Sequence, residues 1–385
     1  LNRILRLTLC AAIALPLAAQ TKNQEPELPR LVENIDVRVI DVDVIVTDKR
    51  GNFVPGLTAD DFEIYENNVP KPVSNFYEVA NGRPKIVADE VGGRVEEEKK
   101  ATPEDMKRRI IFYIDNLSLS PFNRNRVFQH MKEFCTKVMR PGDEAMVATF
   151  NRSMKVRVPF TRDAKQIDTM LDSIAGETGM GIANRSESKG VEDRINDASS
   201  YQDAVATARS YASSVEHDLR QSVASINALM TTLAGVEGKK ILVLTSEGFP
   251  MQPGREMFYL IDEVAREKGW SSVGATLLEG MSYDGTNLIQ SVARTANANG
   301  ITLYTVHAAG LTGGSEMSAE HARPTPQSVA HQATSNTTES MYLMAEMTGG
   351  LASVQTNNFG AAFERIQRDL ESYYSLGYRA GTERV

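Results

Sequence analysis

"RRIIFYIDNLSLSP", residues 108–121, is the stretch on which the fold turns. Ile110 to Ile114 form an unbroken apolar run with no polar alternation. Such a run predicts a strand buried on both faces, as in a parallel sheet covered by helices. The run stops on Asp115 and then sets down Ser118 and Ser120. A carboxylate at the end of a buried strand, followed closely by hydroxyls, is a set of hard oxygen donors that suits a divalent cation.

Downstream, strands alternate with amphipathic helices, which predicts a mainly parallel sheet with helices on both faces. Val127, Met131, Phe134 and Val138 share one face of the first helix. "DEAMVATFN" (143–151) and "MKVRVPFT" (154–161) read as strands joined by a turn at Asn151–Ser153. Asp163 and Gln166 form a capping box, and Ile167, Met170, Leu171 and Ile174 follow at helical spacing. A long helix carries Val215, Leu219, Val223, Ile226, Leu229 and Leu233, and "KKILVLTSEGFP" (239–250) is the next buried strand. Helices over 255–268 and 286–298 and the strand "GITLYTVHA" (300–308) continue the alternation. Two polar stretches, 176–200 and 311–338, read as long surface loops at the strand-end edge, able to form a binding rim. Near the chain end, Tyr373, Tyr374 and Tyr378 are expected to pack the last helix against the sheet.

Upstream, residues 35–79 read as a small β module. Its valines alternate, "DKRGN" is a hairpin turn, "TADDF" a capped helical turn, and two more strands flank Asn67 and Asn68. Residues 80–107 lose periodicity and gather Gly, Pro and mixed charge, the signature of a linker. At the start, Arg3 and Arg6 precede the apolar "LTLCAAIALPLAA", so residues 1–19 read as a signal peptide and the mature chain is expected to be exported, to periplasm or outside. No later stretch is long and apolar enough to span a bilayer.

The chain is acidic, with a formal net charge of -8, which argues against a nucleic-acid partner because such affinity rests on clustered Lys and Arg. Of the two cysteines Cys10 falls in the signal, and lone Cys135 excludes an intramolecular disulfide or a Cys-based zinc site in the mature chain. The five histidines form no His-x-x-x-His pair, so a zinc hydrolase has no support. "SESK" (186–189) has the Ser-x-x-Lys spacing of acyl-enzyme hydrolases but none of the companion motifs.

"RRIIFYIDNLSLSP", "KKILVLTSEG" (239–248) and "MAEMTGGLASVQT" (344–356), taken in order, resemble the von Willebrand factor type A domain. "VDVIVTDKRGNFVPGLTADDFEIYENN" (42–68) looks like the β module that precedes this domain in the VWFA-related family described from acidobacteria. The resemblance covers most of 35–378 and implies a doubly wound, Rossmann-like sheet over 108–379, with ligand-facing loops at the carboxyl ends of its strands. It also implies an Mg2+ or similar ion held by Asp-x-Ser-x-Ser, a threonine and a second aspartate. Here Asp115 is in place, but Leu117 and Leu119 stand at the in-phase offsets and Ser118 and Ser120 come one residue late. "IAGETG" puts Thr178 in position, while in "LTSEG" Ser246 replaces the aspartate, with Glu247 beside it. Two readings of the degenerate site stand side by side. In one, Asp115, Ser118, Ser120 and Thr178 ligate a divalent cation, with Glu247 in reserve. In the other, Asp115 caps backbone amides near a helix start and no metal is bound. The expected function is a non-enzymatic, exported, adhesion-type protein whose loops near Asp115, Thr178, Ser246 and Glu247 bind a protein or another extracellular macromolecule. The alternative is a metal-free scaffold component of an envelope assembly.

Overall fold

The apolar run at 110–114 lies in a central strand of a six-stranded sheet. The computed structural model describes residues 39–80, 83–85, 107–270, 275–311 and 325–379. The expected signal peptide, residues 81, 82 and 86–106 of the expected linker, and 312–324 of the second polar stretch lie outside the described residues.

The chain enters with β1 (Val39–Val44), β2 (Ile64–Glu66), β3 (Val69–Lys71), β4 (Asn75–Ala80) and β5 (Arg83–Lys85). The α/β part runs β6 (Arg108–Asp115), α1 (Pro121–Val138), β7 (Glu144–Phe150), β8 (Met154–Thr161), α2 (Ala164–Ala175), α3 (Gly181–Asp197) and α4 (Tyr201–Thr232). It continues through β9 (Lys239–Ser246), α5 (Arg255–Lys268), α6 (Ala275–Gly280), α7 (Thr286–Ala298), β10 (Ile301–His307), α8 (Gln327–Glu346), β11 (Ala352–Ser353) and α9 (Phe359–Glu371), and ends on β12 (Tyr373–Arg379).

The large sheet has the order β11-β10-β9-β6-β7-β8, with β8 alone antiparallel. Alternate side chains of β6 point to opposite faces, as strand geometry demands. Ile110, Phe112 and Ile114 join one core with α1, α2 and α9, and Ile111 and Tyr113 join another with the later half of α4, α7 and α8. The sheet is thus doubly wound, as its alternating pattern predicts.

A third core lies apart from the sheet. Val191 and Ile195 of α3, Ala204 to Ala212 of α4 and Met257 to Val264 of α5 pack together with Val329 of α8. At about 1.5 Å per residue, the 32-residue α4 is roughly 48 Å long, enough to line the sheet with one half and this helical lobe with the other. Among the described residues, both stretches expected to be long loops carry helix: 176–200 contains α3, and 327–338 opens α8. Composition misleads there for a physical reason. In α8 the hydroxyls of Thr334, Thr337 and Thr338 return to the carbonyls of Ala330, Ala333 and Thr334, so the helix satisfies its own Ser/Thr side chains.

The small sheet has the order β1-β12-β4-β5, so the last described strand closes a sheet begun by the first. Tyr373, Tyr374 and Tyr378 consequently lie on this strand instead of packing the last helix. Tyr374 stacks on Phe53 and Phe76, its hydroxyl donates to the Val54 carbonyl at 2.7 Å, and it accepts from the Leu57 amide. The two sheets meet at Lys239, whose ammonium lies 3.0 Å from Asp43 and 3.4 Å over the Tyr373 ring.

Candidate functional site at the carboxyl edge of the sheet

β6 and β9 are parallel neighbours, so Asp115 and Ser246 end their strands side by side. Both are buried. Ser246 Oγ donates to Asp115 Oδ2 at 2.8 Å, and the Ser118 and Ser246 hydroxyls are 2.9 Å apart. Ser246 also accepts from the Gly248 amide, and Ser118 from the Glu247 amide. A hydroxyl has one proton and two lone pairs. With Ser118 donating, Ser246 has used all three. Asp115 Oδ1 has no hydrogen-bond partner and is sealed from solvent. Burial pushes the Asp115 carboxyl up, while the neighbouring hydroxyls and the amides of Ser118 and Leu117 pull it less strongly down.

Ser120 and Glu247 form a second group. Glu247 Oε1 accepts from the Ser120 amide at 2.8 Å, the Ser120 hydroxyl at 2.8 Å and Asn123 Nδ2 at 3.0 Å. Ser120 is the N-cap of α1, and its hydroxyl turns to Glu247 instead of capping its own helix. Capping at this helix start thus falls to Glu247, a carboxylate at the positive end of the helix dipole. The guanidinium of Arg185, from the second turn of α3, stands 3.5 Å from Glu247 Oε2.

Thr178 is exposed, between Glu177 and Gly179. The segment carrying it crosses the β6–α1 loop at very close range. The Met180 and Gly181 amides donate to the carbonyls of Asn116 and Leu119. A Cβ on Gly179 would lie 2.3 Å from the Leu119 carbonyl oxygen, and one on Gly181 2.3 Å from that of Ser118. Arg124, fully buried, clamps the crossing from beneath through Asn116 Oδ1 and the carbonyls of Ala175 and Glu177. Asn184 adds a bond to the Leu117 carbonyl.

The structure therefore gathers Asp115, Ser118, Ser120, Ser246 and Glu247 at one edge and leaves Thr178 on its exposed flank. Arg124, Asn123, Asn184, Arg185 and the two glycines are the parts missing from the sequence reading. Arg124 had a detectable signal, since it precedes Val127, Phe128 and Met131 by three, four and seven residues and so shares their buried face.

As arranged, these donors fit a magnesium cage poorly. Magnesium demands near-octahedral oxygen ligands and gives up water reluctantly. Leu117 and Leu119 are both buried. The Ser246 hydroxyl is saturated, the Ser120 hydroxyl is turned to Glu247, and Glu247 already faces a cation, Arg185. Asp115 Oδ1 is buried without a partner, as are Thr245 Oγ1 and His307 Nδ1 at the ends of the neighbouring strands.

The class that fold and edge define is a doubly wound, mainly parallel α/β sheet whose loops gather at the carboxyl ends of its strands. The sequence matches no family model, and no curated protein matches it. Solved structures of similar arrangement include an aerotolerance-related membrane protein from Bacteroides fragilis, at 11% identity and TM-score 0.33, covering 69% of this chain and 98% of that one. Another is the vWF domain of the type V pili tip protein Mfa5 from Porphyromonas gingivalis, at 11% identity and TM-score 0.32, covering 68% and 94%. A third is the pilus adhesin SpaC from Lactobacillus rhamnosus GG, at 10% identity and TM-score 0.35, covering 69% of this chain but 30% of that one. No helix among the described residues is long and apolar enough to cross a membrane.

Proposed function

We propose that the chain is an exported, non-enzymatic binding protein of the von Willebrand factor type A kind, using the loops at the carboxyl edge of its sheet to hold a macromolecular partner. The observation that carries this reading is the fixed strand-end edge, in which the β6–α1 loop is held by Ser246, Glu247, Arg124 and the 178–181 crossing. A surface ordered before contact loses little freedom on binding. The hydroxyl bonded to Asp115, that of Ser246, is fully buried and saturated, which suits a structural tie and not a nucleophile. Lys189 of the Ser-x-x-Lys stretch is ion-paired with Glu192 at 2.8 Å.

Site-specific photo-crosslinking of the full mature chain in its native envelope tests the reading. Crosslinkers at exposed strand-end positions such as Asn125 and Arg152 are expected to trap a partner, while positions at the amino edge do not. Crosslinks confined to helix faces or the β module would favour the scaffold alternative. Calorimetric titration with Mg2+ and Mn2+ addresses the cation separately: saturable binding abolished by Asp115→Ala would show that the edge rearranges to hold one.

A further inference from the structure

The small β module carries a groove of its own, apart from the strand-end loops. The module meets the large sheet at the amino end of β9, where Lys239 pairs with Asp43. Its hairpin β2–β3 and the short helical turn Ala59–Asp61 flank a groove of about 370 Å3. The walls are tied to the sheet beneath. Phe62 lies 5.7 Å from the Phe76 ring and 5.3 Å from that of Tyr374, centre to centre, and the Tyr378 hydroxyl donates to Glu66 at 3.3 Å. The turn at Asn67 and Asn68, both at positive φ, sets Tyr65 opposite Pro70. Residues directly opposite across a ladder share a face, so these two rings lie side by side. Tyr65 is 59% exposed, and Pro70 and Pro72 are exposed as well.

Two features define what fits there. The first is the poverty of the backbone along β3. Proline has no amide hydrogen, so from Pro70 to Pro72 only Lys71 carries one. A strand added along this wall would find an incomplete ladder, which leaves recognition to side chains. The second is charge. Between Thr58 and Val73 the acids are Asp60, Asp61, Glu63 and Glu66, and the cation is Lys71. Lys71 is spent on Glu66, at 3.0 Å. Asp61 accepts from the Thr58 amide and hydroxyl, and Glu63 from the Tyr65 hydroxyl at 2.8 Å; these donors are neutral and leave both charges in place. Asp60 and Glu63 line the groove, and both are exposed. The bond between Tyr65 and Glu63 matters most, because it sets a carboxylate at the edge of an exposed aromatic ring. A cation over that ring is drawn by the ring face and by the carboxylate together. An apolar floor under an acidic rim matches a side chain with an aliphatic stem and a cationic head.

We infer that this groove receives an arginine-bearing polypeptide segment, the arginine stem lying on Tyr65 and Pro70 and its guanidinium taken by Glu63 and Asp60. Arginine suits the site better than lysine, because a planar guanidinium both stacks on an aromatic ring and forks to a carboxylate. Val69, 54% exposed beside Pro70, carries the apolar surface past a single side chain and favours a polypeptide over a free polyamine. The groove gives the chain a second contact, on the module, and the inference does not rest on the reading of the strand-end loops.

The test is fluorescence anisotropy on the full mature chain with labelled twelve-residue peptides: one repeating arginine, proline and glycine, one with citrulline in place of arginine, and one with glutamate. The arginine peptide is expected to bind, the citrulline peptide, similar in shape but neutral, about tenfold more weakly, and the glutamate peptide not at all. Asp60→Asn and Glu63→Gln should each weaken binding about threefold, and Tyr65→Ser about fivefold. Raising salt from 50 to 300 mM should weaken it further. Glu346→Gln, which removes an exposed acid from α8, should leave it unchanged. Thermal melts of the three groove variants, all at exposed positions, check that folding is intact. Equal binding of the citrulline peptide, indifference to the three groove substitutions, or an equal loss with Glu346→Gln would overturn the inference. Spermidine binding as tightly as the arginine peptide would overturn it too, since the groove would then select charge alone.

Discussion

Ser246→Ala removes one oxygen and breaks three hydrogen bonds: to Asp115 Oδ2 at 2.8 Å, with Ser118 at 2.9 Å and from the Gly248 amide at 3.0 Å. The bond to Asp115 matters most, because Asp115 Oδ1 already lacks a partner and the substitution leaves the whole carboxylate without a hydroxyl donor from β9. A hydrogen bond to a charged group contributes about 1.5–3 kcal/mol, and a neutral one about 1 kcal/mol. The Gly248 amide is half-buried and can regain water, so a loss of about 3 kcal/mol is expected at pH 7.5. The pH dependence has a definite sign. Burial raises the Asp115 carboxyl above its ordinary value, so the native state holds that proton more tightly than the unfolded chain, and stability falls as pH rises. Ser246 opposes that rise, and its loss pushes the carboxyl higher still. The deficit of Ser246→Ala should therefore be greatest at alkaline pH and shrink as pH falls and Asp115 protonates. Urea denaturation followed by circular dichroism between pH 5 and 8 measures it, and an Asp115→Asn background should reduce the effect to about 1 kcal/mol. A loss under 0.5 kcal/mol at pH 7.5, or a deficit that grows as pH falls, would refute the reading of Ser246 as the donor that holds the Asp115 carboxylate.

Two glycines of α3 should respond oppositely to alanine. Gly181→Ala would place Cβ 2.3 Å from the Ser118 carbonyl oxygen and 2.6 Å from the Ser120 nitrogen, so it should cost about 1–3 kcal/mol or displace the crossing, seen as a lowered melting temperature. Gly190→Ala meets nothing within 4 Å in a helix interior and should stabilise by about 0.5–1 kcal/mol in the same assay. In the helical lobe, burial and then the charge of Glu192 push the Glu256 carboxyl up to about 7 against the pull of the Tyr211 hydroxyl. Its contribution is fully present below about pH 4.5 and is lost as pH rises through about 7, so Glu256→Gln should gain on the native chain by about 2 kcal/mol between pH 5 and 8; parallel urea profiles would contradict this. Lys239→Met breaks the Asp43 pair and the Tyr373 contact that join the two sheets, and should cost about 1–2 kcal/mol, with a coupling energy in the double cycle with Asp43→Asn.

The sheet was legible in the sequence because its strands are buried on both faces and so read as solid apolar runs, as at Ile110–Ile114 and Ile241–Leu244. The hairpin around Asn67 and Asn68 was legible for a different reason, since both residues adopt positive φ, which asparagine tolerates. The helical lobe was not legible. α3 buries only a short apolar set, Val191 and Ile195, in a polar, Gly- and Ser-containing segment, and α8 hides its hydroxyls by local bonds that composition cannot reveal. The closing of the small sheet by β12 was hidden too, because an isolated strand carries no mark of a partner three hundred residues earlier.

At the site, residue types were readable and their pairing was not. Asp115, Ser118, Ser246 and Glu247 stood out as oxygen donors, yet whether donors face outward to a cation or inward to one another depends on the register of β6 against β9 and on the five residues between β6 and α1. Here Leu117 and Leu119 take the core-facing positions, which turns Ser118 toward Ser246 and Ser120 toward Glu247. Once those hydroxyls point inward, the oxygens a cation would need are spent on one another, and Arg185 stands against the remaining side of Glu247. The same one-residue shift that takes Ser118 and Ser120 out of phase with Asp115 thus turns residue types suited to a cation into ties that fix the loop.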